Sequence, residues 1–319
     1  MNTAKLNWRC KAQDNRCDMK IHQFDQASRS LAARHNEKAN KLEQRGLIAE
    51  AVKYYQKAIK LWPSWSVPWY NLGLLRKRQH NWQESLRCNQ KAVSLDPSDQ
   101  AAWWNLGIAA TALEDWAEAR RAWKGFGIEI ADGEGPIEMK IGSTPIRLNP
   151  DDDAEVVWCR RVDPARAIID CVPLPQSEHR FGDLLLHDGA PNGFRKVGGK
   201  EVPVFDELEL LAPSEYGTFE IIIDGVSAED IEKLNELAGE RGLAAEDWSA
   251  NIRMICKACS EGRPHNEHTR EAVQTNYRRI GFAALSETQA MEILRSWMAT
   301  RPQAKIEEIN CLLKPAFIN

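Results

Sequence analysis

No apolar run in this sequence approaches the roughly 18–20 residues needed to span a bilayer. The first twenty residues, MNTAKLNWRCKAQDNRCDMK, are polar throughout and have no apolar core, so they are not expected to act as a secretory signal. Cysteine is sparse: eight in 319 residues do not make a disulfide framework, and reduced thiols in a cytoplasm are the expectation. There is no Gly-rich phosphate loop and no nucleophile elbow; GGK at 198–200 lacks the rest of a P-loop. What remains is ordinary soluble composition, 43% hydrophobic and 28% charged, in a chain long enough for two or three domains.

The net charge of −4 conceals an asymmetry. Residues 1–127 carry 21 Lys and Arg against 12 Asp and Glu, whereas the rest of the chain carries 21 against 34. A basic part and an acidic part can attract different partners, or each other.

The basic part repeats itself. WYNLG at Trp69–Gly73 returns as WWNLG at Trp103–Gly107, 34 positions on, and Pro63 and Pro97 share that offset. Small residues recur where two helices must approach closely: Ala51, Ser85 and Ala119, then Ala58 and Ala92. Tyr55, Trp82, Trp116 and Trp123 supply the bulk between them. Over roughly residues 30–131 this pattern resembles the tetratricopeptide repeat, a helix–turn–helix unit that stacks into a solenoid. The first repeat departs from the family with His35 in place of Trp, and the third with Phe126 at a usually small position and Ala131 in place of the closing proline.

The resemblance implies a concave groove, lined by the first helix of each repeat, that binds a peptide. Its positions are Asn36 and Asn40, then Tyr70, Leu74, Lys77 and Arg78, then Trp104, Ile108 and Thr111. In the chaperone-binding subfamily cations and asparagines grip a terminal carboxylate. Here Asn40 and Asn71 match the asparagines, but Asn36, Ala101 and Asn105 occupy the cationic positions, so a chaperone tail is not the expected ligand. An amphipathic or acidic-hydrophobic segment suits the floor better. The groove could equally be filled by the chain's own residues 1–28 or by its acidic C-terminal half.

From residue 132 the helical period stops. Runs 137–142, 145–149, 154–162, 166–172, 183–189, 194–197 and 207–213 read as short strands separated by Gly, Pro, Asn and Asp, and suggest a small antiparallel β-barrel over 132–216. Asp183, His187 and Asp188 make a weak catalytic set, because Asp183 and His187 lie about 13 Å apart along one strand. Residues 217–319 read as strand 218–224, a helix opened by Ser227, strand 251–256, strand 277–284, a helix opened by Ser286, and strand 306–313. Two such halves resemble a ferredoxin-like βαββαβ domain, and barrel and domain together resemble an uncharacterised bacterial domain family. RNA binding is not expected, since the third strand has Ile280 where a second stacking aromatic belongs and this part is acidic. The expected organisation is therefore an extension at 1–28, repeats at 29–131, a barrel at 132–216 and the ferredoxin-like unit at 217–319.

One cluster bears on chemistry. CKACSEGRPHNEH places Cys256, Cys259, His265 and His268 within thirteen residues, a set able to surround a tetrahedral zinc. With all four positions filled by protein, such a zinc is structural. A polar loop without metal, or a redox Cys-x-x-Cys, are the competing readings. The leading functional expectation is a cytoplasmic adaptor without catalytic activity. A metal-dependent enzyme using Cys256, Cys259 and one histidine, or a small-ligand sensor, are the alternatives.

Overall fold

A computed structural model describes residues 25–152, 154–249 and 277–315, and the chain divides into two compact units, Met1–Ile130 and Ala131–Asn319. No helix among the described residues is long and apolar enough to cross a membrane.

The first unit is helical. α1 covers residues 25–44, followed by α2 (Ile48–Leu61), α3 (Ser66–Arg78), α4 (Trp82–Leu95), α5 (Gln100–Ala112) and α6 (Trp116–Phe126). Asn81, Asp99 and Asp115 each accept a hydrogen bond from a backbone N–H three residues on, which sets where α4, α5 and α6 begin. The 34-residue period is visible as repeated bonds: Trp69 Nε1 donates to Pro63 O at 3.1 Å, and Trp103 Nε1 to Pro97 O at 2.9 Å. The recurring small residues, Ala51, Ser85, Ala119, Ala58 and Ala92, are all buried, as the helix-pair spacing required. Gly73 faces the Asn89 side chain and Gly107 faces the Trp123 indole, each at a distance that leaves no room for a Cβ.

In the second unit β1 (Gly142–Leu148), β2 (Glu155–Arg161), β3 (Arg166–Ile169), β4 (Leu184–Val197) and β5 (Lys200–Ala212) close into a barrel. Neighbouring pairs are antiparallel, but closure runs through a parallel β1–β5 pair at Ile146↔Phe205 and Arg147↔Asp206, so the sheet is not antiparallel throughout. Its apolar interior is Ile146, Leu148, Val157, Cys159, Ile169 and Leu185. Two strand expectations need correction. Residues 137–141 form no strand: Met139 N bonds Val162 O, but no ladder continues from it. The separate runs 183–189 and 194–197 are one bulged strand, β4, because β5 is long enough to pair with both. Pro191 sits where the register shifts and needs no N–H. Gly198 and Gly199, both at positive φ, make the two-residue hairpin turn between β4 and β5.

The remaining elements are β6 (Gly217–Asp224), α7 (Ala228–Gly239), β7 (Ala244–Asp247), β8 (Tyr277–Ala284), α8 (Glu287–Met298) and β9 (Lys305–Leu313). They form a sheet of order β7-β8-β6-β9 with antiparallel neighbours. Ile231 and Leu234 of α7 and Ile293, Leu294 and Trp297 of α8 pack in one core with Phe219, Ile221 and Phe282. The Ser227–Asp230 capping box forms as the sequence indicates. β7 was not foreseen, and the expected strand at 251–256 lies outside the described residues. Trp248 joins this sheet to the barrel: it packs with Val172, Ala244 and Ala283, and its Nε1 donates to Val172 O at 3.1 Å.

Candidate functional site

The groove positions fall into two groups. On α1 and α3 they form a polar line. Asn71 Nδ2 donates to Asn36 Oδ1 at 3.1 Å and, more weakly, to Asn40 Oδ1 at 3.4 Å. Tyr55 OH bonds both Asn40 Oδ1 and Glu43 Oε2 at 2.7 Å, and Arg78 closes the line with an ion pair to Glu43 at 2.6 Å. Burial, then the Glu43 bond, raises the Tyr55 phenol, so it stays a donor. Tyr70 and Leu74 are half-buried and Arg78 is exposed.

The other group is not a free surface. Lys77 is 4% exposed, Ile108 0% and Thr111 1%, against the expectation that they line an open groove. Residues 105–111 of α5 are buried without a break, which covers every side of that helix. The physical cause is composition: QAAWWNLGIAATA has no polar face, and a helix that is apolar all round is buried all round. Trp104 is half-buried and its ring meets Trp123 and Phe126 edge-on at 5.1 and 4.7 Å. Phe126, the departure from the repeat pattern, is thus part of the third repeat's own packing.

Cys256, Cys259, His265 and His268 lie outside the described residues. Among the described residues no group of three or more His, Cys, Asp or Glu is placed to hold a metal ion.

The barrel contains polar groups that sequence reasoning did not assemble. His179 donates from Nδ1 to Ser177 O at 2.7 Å, and its Nε2 lies 2.7 Å from Glu207 Oε1, an arrangement that favours the charged ring. Burial opposes that charge, but the Glu207 carboxylate outweighs it and the His179 pKa is raised. The suggested set Asp183, His187 and Asp188 does not act together. Asp183 accepts from the Arg180 and Ser214 backbone N–H groups, while His187 Nδ1 donates to the Asp188 backbone oxygen at 2.8 Å.

His187 is fully buried, and burial is the main reason its pKa falls to about 4, with the nearby Arg161 charge adding to the effect. Its pKa is depressed in the folded state, so the unfolded chain takes the proton first. The stability tied to the neutral ring is complete above pH 6.5 and is lost as pH falls towards 4, by about 3 kcal/mol. Urea midpoints measured from pH 7 to pH 4.5 are expected to fall, and to fall less in His187→Asn; equal slopes would reject this assignment. The sequence signal was strand parity: Val157, Cys159 and Arg161 share a face, as do Leu185 and His187.

The sequence comparison bears on the first unit. Residues 70–123 match the family described as Tetratricopeptide repeat. This segment carries tetratricopeptide repeats. Similar solved structures include the second TPR of Spaghetti (RPAP3) bound to the HSP90 peptide SRMEEVD, with 19% identity, 33% of this chain and 95% of that one covered, and a TM-score of 0.31. The first TPR of the same protein, bound to the same peptide, gives 26% identity, coverage of 31% and 78%, and a TM-score of 0.30. The Arabidopsis OM64 TPR domain gives 22%, 30% and 80%, and 0.29. No curated protein matches the chain.

Proposed function

We propose that this protein is a cytoplasmic adaptor without catalytic activity, whose repeat segment binds a peptide segment of a protein partner. The observation that carries the reading is the tetratricopeptide-repeat match over 70–123 together with the half-buried Tyr70 and Leu74 beside exposed Arg78. The binding surface is the second repeat. Ile108, Lys77 and Thr111 are covered within this chain and are withdrawn as contacts, and Trp104 contributes an edge at most. Asn40 and Asn71 are bonded to each other, and no cation stands at Asn36, Ala101 or Asn105, so the partner is not a chaperone-type carboxylate tail. An amphipathic segment with acidic residues fits the apolar floor and Arg78. Selection of a displayed peptide library is expected to enrich such sequences on wild type and not on a folded Tyr70→Ala, Leu74→Ala variant. Equal enrichment on both would reject the groove.

We also propose that the C-terminal sheet is a ferredoxin-like unit, a reading supported by the order β7-β8-β6-β9 with α7 and α8 packed in one core, and that this unit docks on a second partner. Cys256, Cys259, His265 and His268 are proposed to hold one structural zinc in the β7–β8 connection. Metal analysis of untagged protein is expected to find about one zinc per chain, lost in Cys256→Ser, Cys259→Ser together with thermal stability. Zinc lost with stability unchanged would favour a catalytic metal, and no zinc would remove the proposal.

A further inference from the structure

One end of the barrel interior is polar, and two of its nitrogens have no partner. β2 ends with Arg161, which lies in register with Gly142 of β1 and Ala167 of β3. His187 N bonds Ala165 O, which sets His187 two positions further along the same face. Phe205 of β5 completes the lining, 5.6 Å from the His187 ring and 5.8 Å from the Arg161 guanidinium. The other neighbours on this face, Gly142, Ala165 and Ala167, are small, and a Cβ added at exposed Gly142 would meet no atom within 4 Å.

His187 donates from Nδ1 to a carbonyl oxygen, so its Nε2 carries a lone pair, and that atom is buried without a hydrogen-bond partner. Arg161 Nε is likewise buried and unpartnered. Its guanidinium donates to Pro164 O at 2.7 Å but meets no carboxylate at ion-pair distance among the described residues. The nearest acid, Asp163, is taken up by Arg166 and by the Ala165 and Arg166 backbone N–H groups. Asp188 turns its carboxylate to the Gly189 N–H, and Glu207 is held by His179. Arg161 is half-buried, but its Nε–H is shut off from water without an acceptor, and the His187 lone pair is shut off without a donor, so each is costly. One ligand relieves both: an oxyanion that also carries a proton.

We propose that Arg161, His187 and Phe205 form a binding site for a hydrogen phosphate group. An anionic oxygen accepts from Arg161 Nε–H, the protonated oxygen donates to His187 Nε2, and the Phe205 ring walls the site. The desolvation that lowers both the Arg161 and His187 pKa values accords with this, since it keeps His187 an acceptor at neutral pH. Sulfate has the same shape but no proton to give, so the site distinguishes the two anions.

Calorimetric titration of the full chain at pH 7 with sodium phosphate, sodium sulfate and methyl phosphate tests this. Wild type is expected to bind one phosphate and to bind sulfate about tenfold more weakly or worse, the loss of one hydrogen bond to a charged group. Arg161→Met should bind neither. His187→Asn keeps a donor for Asp188 O but removes the Nε2 lone pair, and should bind both anions alike. Methyl phosphate bound as well as phosphate identifies a phosphomonoester ligand; its refusal identifies free phosphate. Failure of wild type to bind phosphate, or to prefer it over sulfate, overturns the proposal and leaves a buried water as the bridge. This wild-type comparison decides even if a variant does not fold. Preference retained in His187→Asn overturns it as well.

Discussion

Gly107→Ala is expected to destabilise the repeat unit by about 2 kcal/mol, although alanine is the better helix former by about 0.5–1 kcal/mol. The decisive term is steric. A Cβ at Gly107 would stand 2.5 Å from the Trp123 ring atoms Cη2 and Cζ3, and Trp123 is fully buried. The indole cannot swing away, because Trp104 packs against it at 5.1 Å. Urea unfolding followed by circular dichroism measures the loss. The atoms in conflict belong to the six-membered part of the indole, so Trp123→Phe in the same chain should restore part of the Gly107→Ala deficit. Gly239→Ala provides the contrast: its Cβ meets nothing within 4 Å, and a change within about 0.5 kcal/mol is expected. A Gly107→Ala chain as stable as wild type would show that the α5–α6 contact is looser than described.

Asp163→Ala should cost more, about 3–5 kcal/mol, and lower the melting temperature of the second unit by roughly 10 °C. Asp163 is fully buried. Its Oδ1 accepts from Ala165 N at 2.8 Å and Arg166 N at 2.6 Å, and its Oδ2 from Arg166 Nε at 2.5 Å. Arg166 in turn donates to Ile137 O at 2.8 Å, which ties residue 137 to the barrel. Removing the carboxylate strands a buried guanidinium and two turn N–H groups together. Asp163→Asn keeps an oxygen for the turn and should lose less. The double change Asp163→Ala, Arg166→Met removes the stranded charge as well and should recover part of the loss. A single variant unfolding within about 1 kcal/mol of wild type would assign the pair a surface-like value.

Much of the helical unit was legible because its information is local. A 34-residue period places glycine and tryptophan at matching positions, and the bonds Trp69–Pro63 and Trp103–Pro97 repeat with it. Ile108 and Lys77, which that register puts on the groove, are covered within this chain, since register gives the direction of a side chain and not whether something already covers it. The missing polar face of α5 was visible in its sequence and was the available warning.

By itself, then, the sequence determined the repeat period, the helix caps at Ser227 and Ser286, and which residues alternate towards an interior. Tertiary structure decided the rest. It joined two expected strands into β4, closed the barrel through a parallel pair, and brought Arg161, His187 and Phe205 from three strands to one end of an interior. The reason is that periodicity is settled over a few residues by backbone geometry and solvent. Pairing between strands is settled by burial and hydrogen-bond satisfaction across the whole barrel, over separations that no local pattern records.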